Sequence, residues 1–83
     1  MRLMYFAWVR EKVGLDREEL DLPPELKTVT DLLSWQKTRG IAYESAFETL
    51  EIIRVAINQT HVKHDHSLKD AKEIAFFPPV TGG

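Results

Sequence analysis

Glu73-Ile74-Ala75-Phe76-Phe77-Pro78-Pro79-Val80-Thr81-Gly82-Gly83 is the stretch on which the reading of the chain turns. Residues 73–77 alternate as a strand, with Ile74 and Phe76 expected to point inward and Ala75 and Phe77 outward. Two prolines follow. They cannot continue a sheet ladder, and they favour an extended, polyproline-like path. Gly82 and Gly83 carry no side chains, so this end fits a slot too narrow for any other residue. With the diglycine as the end of the chain, the tip is an α-carboxylate, ionised at neutral pH. Chain ends ordinarily fray. Here the tail leaves directly from an apolar strand, and the prolines limit the entropy lost when a partner captures it. The carboxylate is therefore read as the working group, and the rest of the chain as a body that presents it.

That body is small. Eighty-three residues make one domain, and a chain of this size buries only about 60–65% of the surface its unfolded form exposes. A hydrophobic share of 43% beside 29% charged residues is a globular composition, not a disordered one. The net charge of −2 gives no reason to expect nucleic acid. No apolar run approaches a membrane span, and residues 1–8 are too short and wrongly flanked for an export signal. There is no cysteine, which excludes disulfides, thiolate metal sites and cysteine nucleophiles and fits a cytoplasmic protein. Any sulfur the protein handles cannot ride on a side-chain thiol.

Upstream of the final strand, residues 53–58 read as another, with Ile53, Val55 and Ile57 sharing one face. Residues 58–60 turn, residues 61–65 add a short edge strand, and residues 67–72 connect to the last strand. Residues 2–8 form an opening strand, apolar on both faces, as suits a central position or one whose outer face meets a partner. A helical turn over residues 9–13 stops at Gly14. Residues 18–22 form the second strand of a hairpin, with Leu20 and Leu22 inward and Glu19 and Asp21 outward, broken by Pro23-Pro24. Thr28 and Asp31 start a helix whose apolar stripe is Val29, Leu32, Leu33 and Gln36. Lys37 and Arg39 sit near its negative end, Gly40 stops it, and Trp35 covers an edge of the core. A shorter helical segment places Tyr43, Ala46, Phe47 and Leu50 at helical spacing. This order predicts an α+β fold: a mixed sheet with one main helix across one face, and the first and last strands parallel at its centre.

Catalytic machinery is not apparent in the body. Asp16, Glu18, Glu19, Asp21 and Glu25 read as a solvated acidic face able to steer a basic partner. His61, His64, Asp65 and His66 are zinc-ligand types, but in a strand His64 and His66 share one face and His61 takes the other, so a polar hairpin is preferred and no metal is expected. A carboxylate is a poor electrophile at neutral pH. It needs an activating partner, such as one that transfers AMP from ATP to make a mixed anhydride, and sulfide delivered to that anhydride would leave a thiocarboxylate. From Pro78 to Gly83 the tail could reach roughly 20 Å into another protein, at about 3.3–3.6 Å per residue.

Ile57-Asn58-Gln59-Thr60, Asp65-His66 and the run from Glu73 to Gly83, with Phe6-Ala7-Trp8-Val9-Arg10-Glu11 and Gly14 near the start, resemble the small subunit of molybdopterin synthase, a ubiquitin-like β-grasp sulfur-carrier family. The resemblance covers about residues 3–14 and 53–83, and residues 15–52 share only its pattern. It implies a β-grasp domain over residues 1–77 and an extended tail over 78–83. It implies that the Gly83 carboxylate is adenylated by an E1-like adenylyltransferase, with ATP used by that partner and no cofactor bound by this chain. Gly83 then becomes a thiocarboxylate, and Pro79, Val80, Thr81, Gly82 and Gly83 insert into the synthase large subunit. There sulfur passes to cyclic pyranopterin monophosphate. The implied assembly is a heterotetramer of two large and two small subunits, with the catalytic residues on the large ones. Phe6 and Phe77 match apolar positions the family uses against both partners, and His61 stands at a contact where relatives often show leucine. Three other readings stay open: a sulfur carrier for thiamin synthesis or tRNA thiolation, a ubiquitin-like modifier conjugated to lysines, and a binding module with an incidental tail.

Overall fold

Leu3 and Tyr5 are buried while Met4 between them is half-exposed, the alternation of a strand with one face against a core. In the computed structural model, which describes residues 1–79, this strand is β1 (Arg2–Tyr5). The others are β2 (Arg17–Glu19), β3 (Arg54–Ile57), β4 (Thr60–Val62) and β5 (Glu73–Phe77). They form one sheet in the order β2-β1-β5-β3-β4. β1 and β5 run parallel at its centre, and every other neighbour pair is antiparallel. The predicted mixed sheet with parallel first and last strands is therefore the observed one. Ile74 and Phe76 are fully buried and Ala75 and Phe77 are not, as their alternation requires.

One face of the sheet is covered by helices α1 (Ala7–Val13), α2 (Val29–Gln36) and α3 (Ile41–Ala46), with a 3-10 turn at Leu50–Ile52. α2 buries the predicted stripe of Val29, Leu32, Leu33 and Gln36 completely. Its start is a capping box: the Asp31 N–H donates to Thr28 Oγ1 at 3.2 Å, and the Thr28 N–H donates to Asp31 Oδ2 at 3.1 Å. Two more helix-start groups are satisfied from across the fold, where Val29 N–H donates to the His66 carbonyl and Thr30 N–H to the His64 carbonyl. Thr28→Ala removes one of these bonds and is expected to lower stability by about 1 kcal/mol, read as a reduced midpoint in urea unfolding at unchanged slope.

The centre of the core is aromatic. Tyr5 stacks on Phe76 with ring centroids 5.5 Å apart, and Phe47 meets Phe76 edge-on at 5.3 Å. Ile53, Val55 and Ile57 close one side, and Val9 and Val13 of α1 the other.

Several boundaries differ from the expected ones. The opening strand stops at Tyr5, not at residue 8. Phe6 is still extended, but Ala7 takes a left-handed φ of 51°, and the Phe6 carbonyl accepts from Val9 and Arg10 to start α1. Ala7 and Trp8 are thus helical. Gly14 ends α1 with φ of 90°, as expected of a left-handed cap. The second strand is shorter and earlier than residues 18–22, although Leu20 and Leu22 do pack against the core. α2 ends at Gln36, short of Gly40, which instead precedes α3. The edge strand covers residues 60–62 and not 61–65, because Asn58 and Gln59 alone make the turn, with φ of 50° and 71°.

Candidate functional site

The helices cover one face of the sheet, and among the described residues no helix covers the other. Across it the register sets a row of side chains: Arg17 of β2 opposite Met4, Met4 beside Ala75, Ala75 opposite Ala56, and Ala56 opposite His61 of β4. One step toward the tail, Arg54 stands opposite Phe77. Phe6 follows β1 at the same level, its N–H donating to the Phe76 carbonyl at 3.1 Å. Phe6 is 43% exposed, while Phe77 is half-buried. The His61 ring leans on the Phe77 ring with centroids 5.0 Å apart and planes tilted by 52°. Three residues singled out from the sequence, Phe6, His61 and Phe77, therefore mark one apolar strip on the helix-free face, at the end where the chain leaves.

β5 controls that exit. It is bonded on both sides, to β1 and to β3, and its ladder stops at Phe77 because Pro78 has no N–H to offer. The other end of β5 is pinned by Asn58. The Asn58 Oδ1 accepts from the N–H groups of Lys72 and Glu73 at 2.9 and 3.1 Å, its Nδ2 donates to the Asp70 carbonyl, and its N–H donates to the Glu73 carbonyl at 2.8 Å. The sequence predicts only a turn at Asn58. Its second role depends on a segment 14–15 residues away and has no local signal. Pro78 and Pro79 continue from β5 half-exposed. Val80, Thr81, Gly82 and Gly83, the working end of the expected tail, lie outside the described residues.

The histidine cluster does not converge. His64 Nε2 bonds the Ile53 carbonyl at 2.7 Å, His66 Nδ1 bonds the Ser67 carbonyl at 2.8 Å, and His61 faces Phe77. Among the described residues no three potential ligands gather around a metal position.

Glu18 corrects another expectation. It is not part of a solvated acidic face. Its carboxylate accepts Tyr5 Oη at 2.7 Å, Tyr43 Oη at 2.9 Å and both terminal nitrogens of Arg39 at 2.9 and 2.8 Å. Gln36 closes the ring, donating from Nε2 to Tyr5 Oη and accepting from Arg39 at Oε1. The Arg39 guanidinium also lies over the Tyr43 ring at 4.1 Å and the Trp35 ring at 4.9 Å. The bonds from Arg39, then those from the two tyrosines, outweigh the burial of Glu18 and hold its pKa down at about 2. Burial, then the bond to Glu18, pushes the Tyr5 phenol well above its usual range, and the same two causes raise Tyr43. A carboxylate this strongly bonded is a poor base, and phenols this weakly acidic are poor acids. The cluster is a structural tie among β1, β2, α2 and α3, not a catalytic one.

The sequence matches the ThiS family over residues 3–83. It is 40% identical to the molybdopterin synthase sulfur carrier subunit of Escherichia coli (strain K12), over all of this chain and 99% of that one. Among solved structures it is similar to a putative molybdopterin converting factor, subunit 1, from Pyrococcus furiosus, with a TM-score of 0.66, 28% identity and 95% of each chain covered. It is also similar to the H. volcanii small archaeal modifier protein 1, with a TM-score of 0.63, 25% identity and 96% and 97% of the two chains covered. No helix among the described residues is long and apolar enough to cross a membrane.

Proposed function

The chain belongs to the ThiS family and has the β-grasp fold of ubiquitin-like sulfur carriers, and from that premise we propose that it is the sulfur carrier subunit of a molybdopterin synthase. The Gly83 carboxylate attacks the α-phosphorus of ATP on an E1-like adenylyltransferase, releasing pyrophosphate and leaving an acyl-adenylate. A sulfide-level sulfur then attacks the acyl carbon and displaces AMP, giving a thiocarboxylate. The tail enters the synthase large subunit, which supplies the catalytic residues, and the sulfur passes to cyclic pyranopterin monophosphate. Two carriers dock on a central pair of large subunits in the cytoplasm. This chain holds no cofactor of its own, and Phe6, His61 and Phe77 form its docking strip beside the tail.

The observation that carries this reading is the full-length likeness to the E. coli carrier subunit, in a chain that ends Phe76-Phe77-Pro78-Pro79-Val80-Thr81-Gly82-Gly83. The structure adds a physical reason to favour it. A tail anchored in the central strand of a sheet transmits its position to the tip more faithfully than one leaving a free edge.

The decisive experiment is intact mass of the protein purified from cells that contain its activating enzyme. Replacement of one oxygen by one sulfur, mapped to Gly83, is the expected result. An unmodified C-terminus under those conditions would remove the carrier role. Docking is tested separately by Phe77→Ala. Because this side chain faces outward, the unfolding midpoint should hardly move, while the Kd for the large subunit should rise roughly tenfold or more. An unchanged Kd in titration would take Phe77 out of the interface.

The likeness to a small archaeal modifier protein favours one second reading, conjugation of the tail to lysines of other proteins. That use leaves isopeptide adducts that accumulate on targets, whereas a carrier returns as the free chain.

A further inference from the structure

The charge on the helix-free face is unevenly shared. At the end away from the tail, Arg2 is within 3.5 Å of both Glu19 and Glu73, so that end is neutralised within the chain. Arg39 is consumed by Glu18. Arg17 and Arg54 stand on the same open face, at the level of Met4 and of Phe77, and both are exposed. Among the described residues neither has a carboxylate within ion-pair distance. Two cations therefore flank the Phe6–Phe77 part of the strip, with His61 beyond Arg54 on β4, on a chain whose net charge is −2. Arg17 lies on β2 and Arg54 on β3, three strand spacings apart, about 14 Å across at about 4.8 Å per strand, and two residues apart along the strands, about 7 Å, so their backbone positions are about 16 Å apart.

We propose that Arg17 and Arg54 are specificity-determining residues, and that the surface docking on Phe6 and Phe77 presents an apolar centre between two carboxylate-bearing flanks about 16 Å apart. The inference rests on the functional reading above and adds to it the charge pattern of the partner. The apolar strip supplies the desolvated centre, and the rim arginines supply steering and orientation, so the tail arrives in register with its slot. Exposed rim charges act mainly on the association rate and its salt dependence.

The test titrates the full chain against the molybdopterin synthase large subunit at low and at moderate salt. The comparison is with the double variant Arg17→Glu/Arg54→Glu and with Lys27→Glu/Lys69→Glu, which makes the same change of net charge at two exposed lysines that are not part of the strip. The expected result is tenfold or greater weakening by the arginine pair at low salt, borne mostly by the association rate. The salt dependence should shrink with it, while the lysine pair stays within twofold of wild type and all three chains unfold at the same midpoint. Wild-type binding with an unchanged arginine variant would overturn this inference and leave the functional reading intact. No wild-type binding at all would overturn both. Equal losses in the two variants would reduce the effect to net charge and overturn it. So would a loss of self-association, seen by sedimentation of the arginine variant alone, which would make a second copy the occupant. A shift of the amide resonances of residues 80–83 in that variant without partner would place the chain's own tail on the arginines, and would equally overturn it.

Discussion

Deletion of Gly83 is expected to leave the unfolding transition in place and to abolish sulfur transfer. The reacting carboxyl would retreat by one residue, about 3.3–3.6 Å. A misplacement of about 1 Å already costs on the order of 100-fold when geometry sets the rate. The remaining terminus, Gly82, would still be a carboxylate, so the variant separates position from chemistry. Intact mass after incubation with the activating enzyme reports whether adenylation and sulfur loading survive, and product formation with the large subunit reports transfer. A companion variant carries one bulky residue after Gly83, with its retention checked by mass. It should fail in the same way, because a slot shaped for glycine excludes a side chain. Cofactor formation by either variant at the normal rate would show that the tip is not the working group.

The second large effect is expected at Glu18. Replacing it with alanine leaves the Arg39 guanidinium partly buried without its anion, and strips a shared acceptor from Tyr5 and Tyr43. The expected loss is about 2–4 kcal/mol, a large part of the stability of a domain this small. The melting temperature should fall by on the order of 10–20 °C. Glu18→Gln keeps the shape and some of the hydrogen bonds, and should lose less. The same carboxylate predicts a pH dependence. Its folded pKa of about 2 is below the ordinary 4.5, so the folded state is favoured by its ionisation. That contribution is complete above about pH 5 and is lost as the pH falls from about 4.5 toward 2. Stability measured by urea unfolding should drop across that window in the wild type and less steeply in Glu18→Gln. Parallel curves for the two chains would show that Glu18 is not the group responsible.

Most of the architecture can be read from local pattern, because the residues that decide it are apolar and periodic. Ile74 and Phe76, then Ile53, Val55 and Ile57, announce buried strands by alternation. Val29, Leu32, Leu33 and Gln36 announce the packed helix by spacing, and Thr28 with Asp31 announces its start. Phe77 is legible too, since it falls on the outward parity of its strand, whereas Phe6, in a strand apolar on both faces, is marked only by the family resemblance. What escaped is what depends on partners distant in sequence. Glu18 shares its inward parity with Leu20 and Leu22, yet a carboxylate is read as solvated until Arg39, 21 residues on, is known to meet it. Asn58 looks like any turn asparagine until its side chain is seen gripping the start of β5. The end of β1 was misplaced because an alanine, not a glycine, takes the left-handed turn into α1.

The position of β5 has a consequence for biosynthesis. The strand latest in sequence among the described residues fills the middle of the sheet, with β1 on one side and β3 on the other. A nascent chain halted before Glu73 has two half-sheets and no seam to join them, and its core lacks Ile74 and Phe76. Such a product cannot reach the native state and is left to chaperones and proteases. A copy that has folded is therefore one whose synthesis had passed Phe77, and maturity of the globule certifies that the ribosome had reached the threshold of the tail.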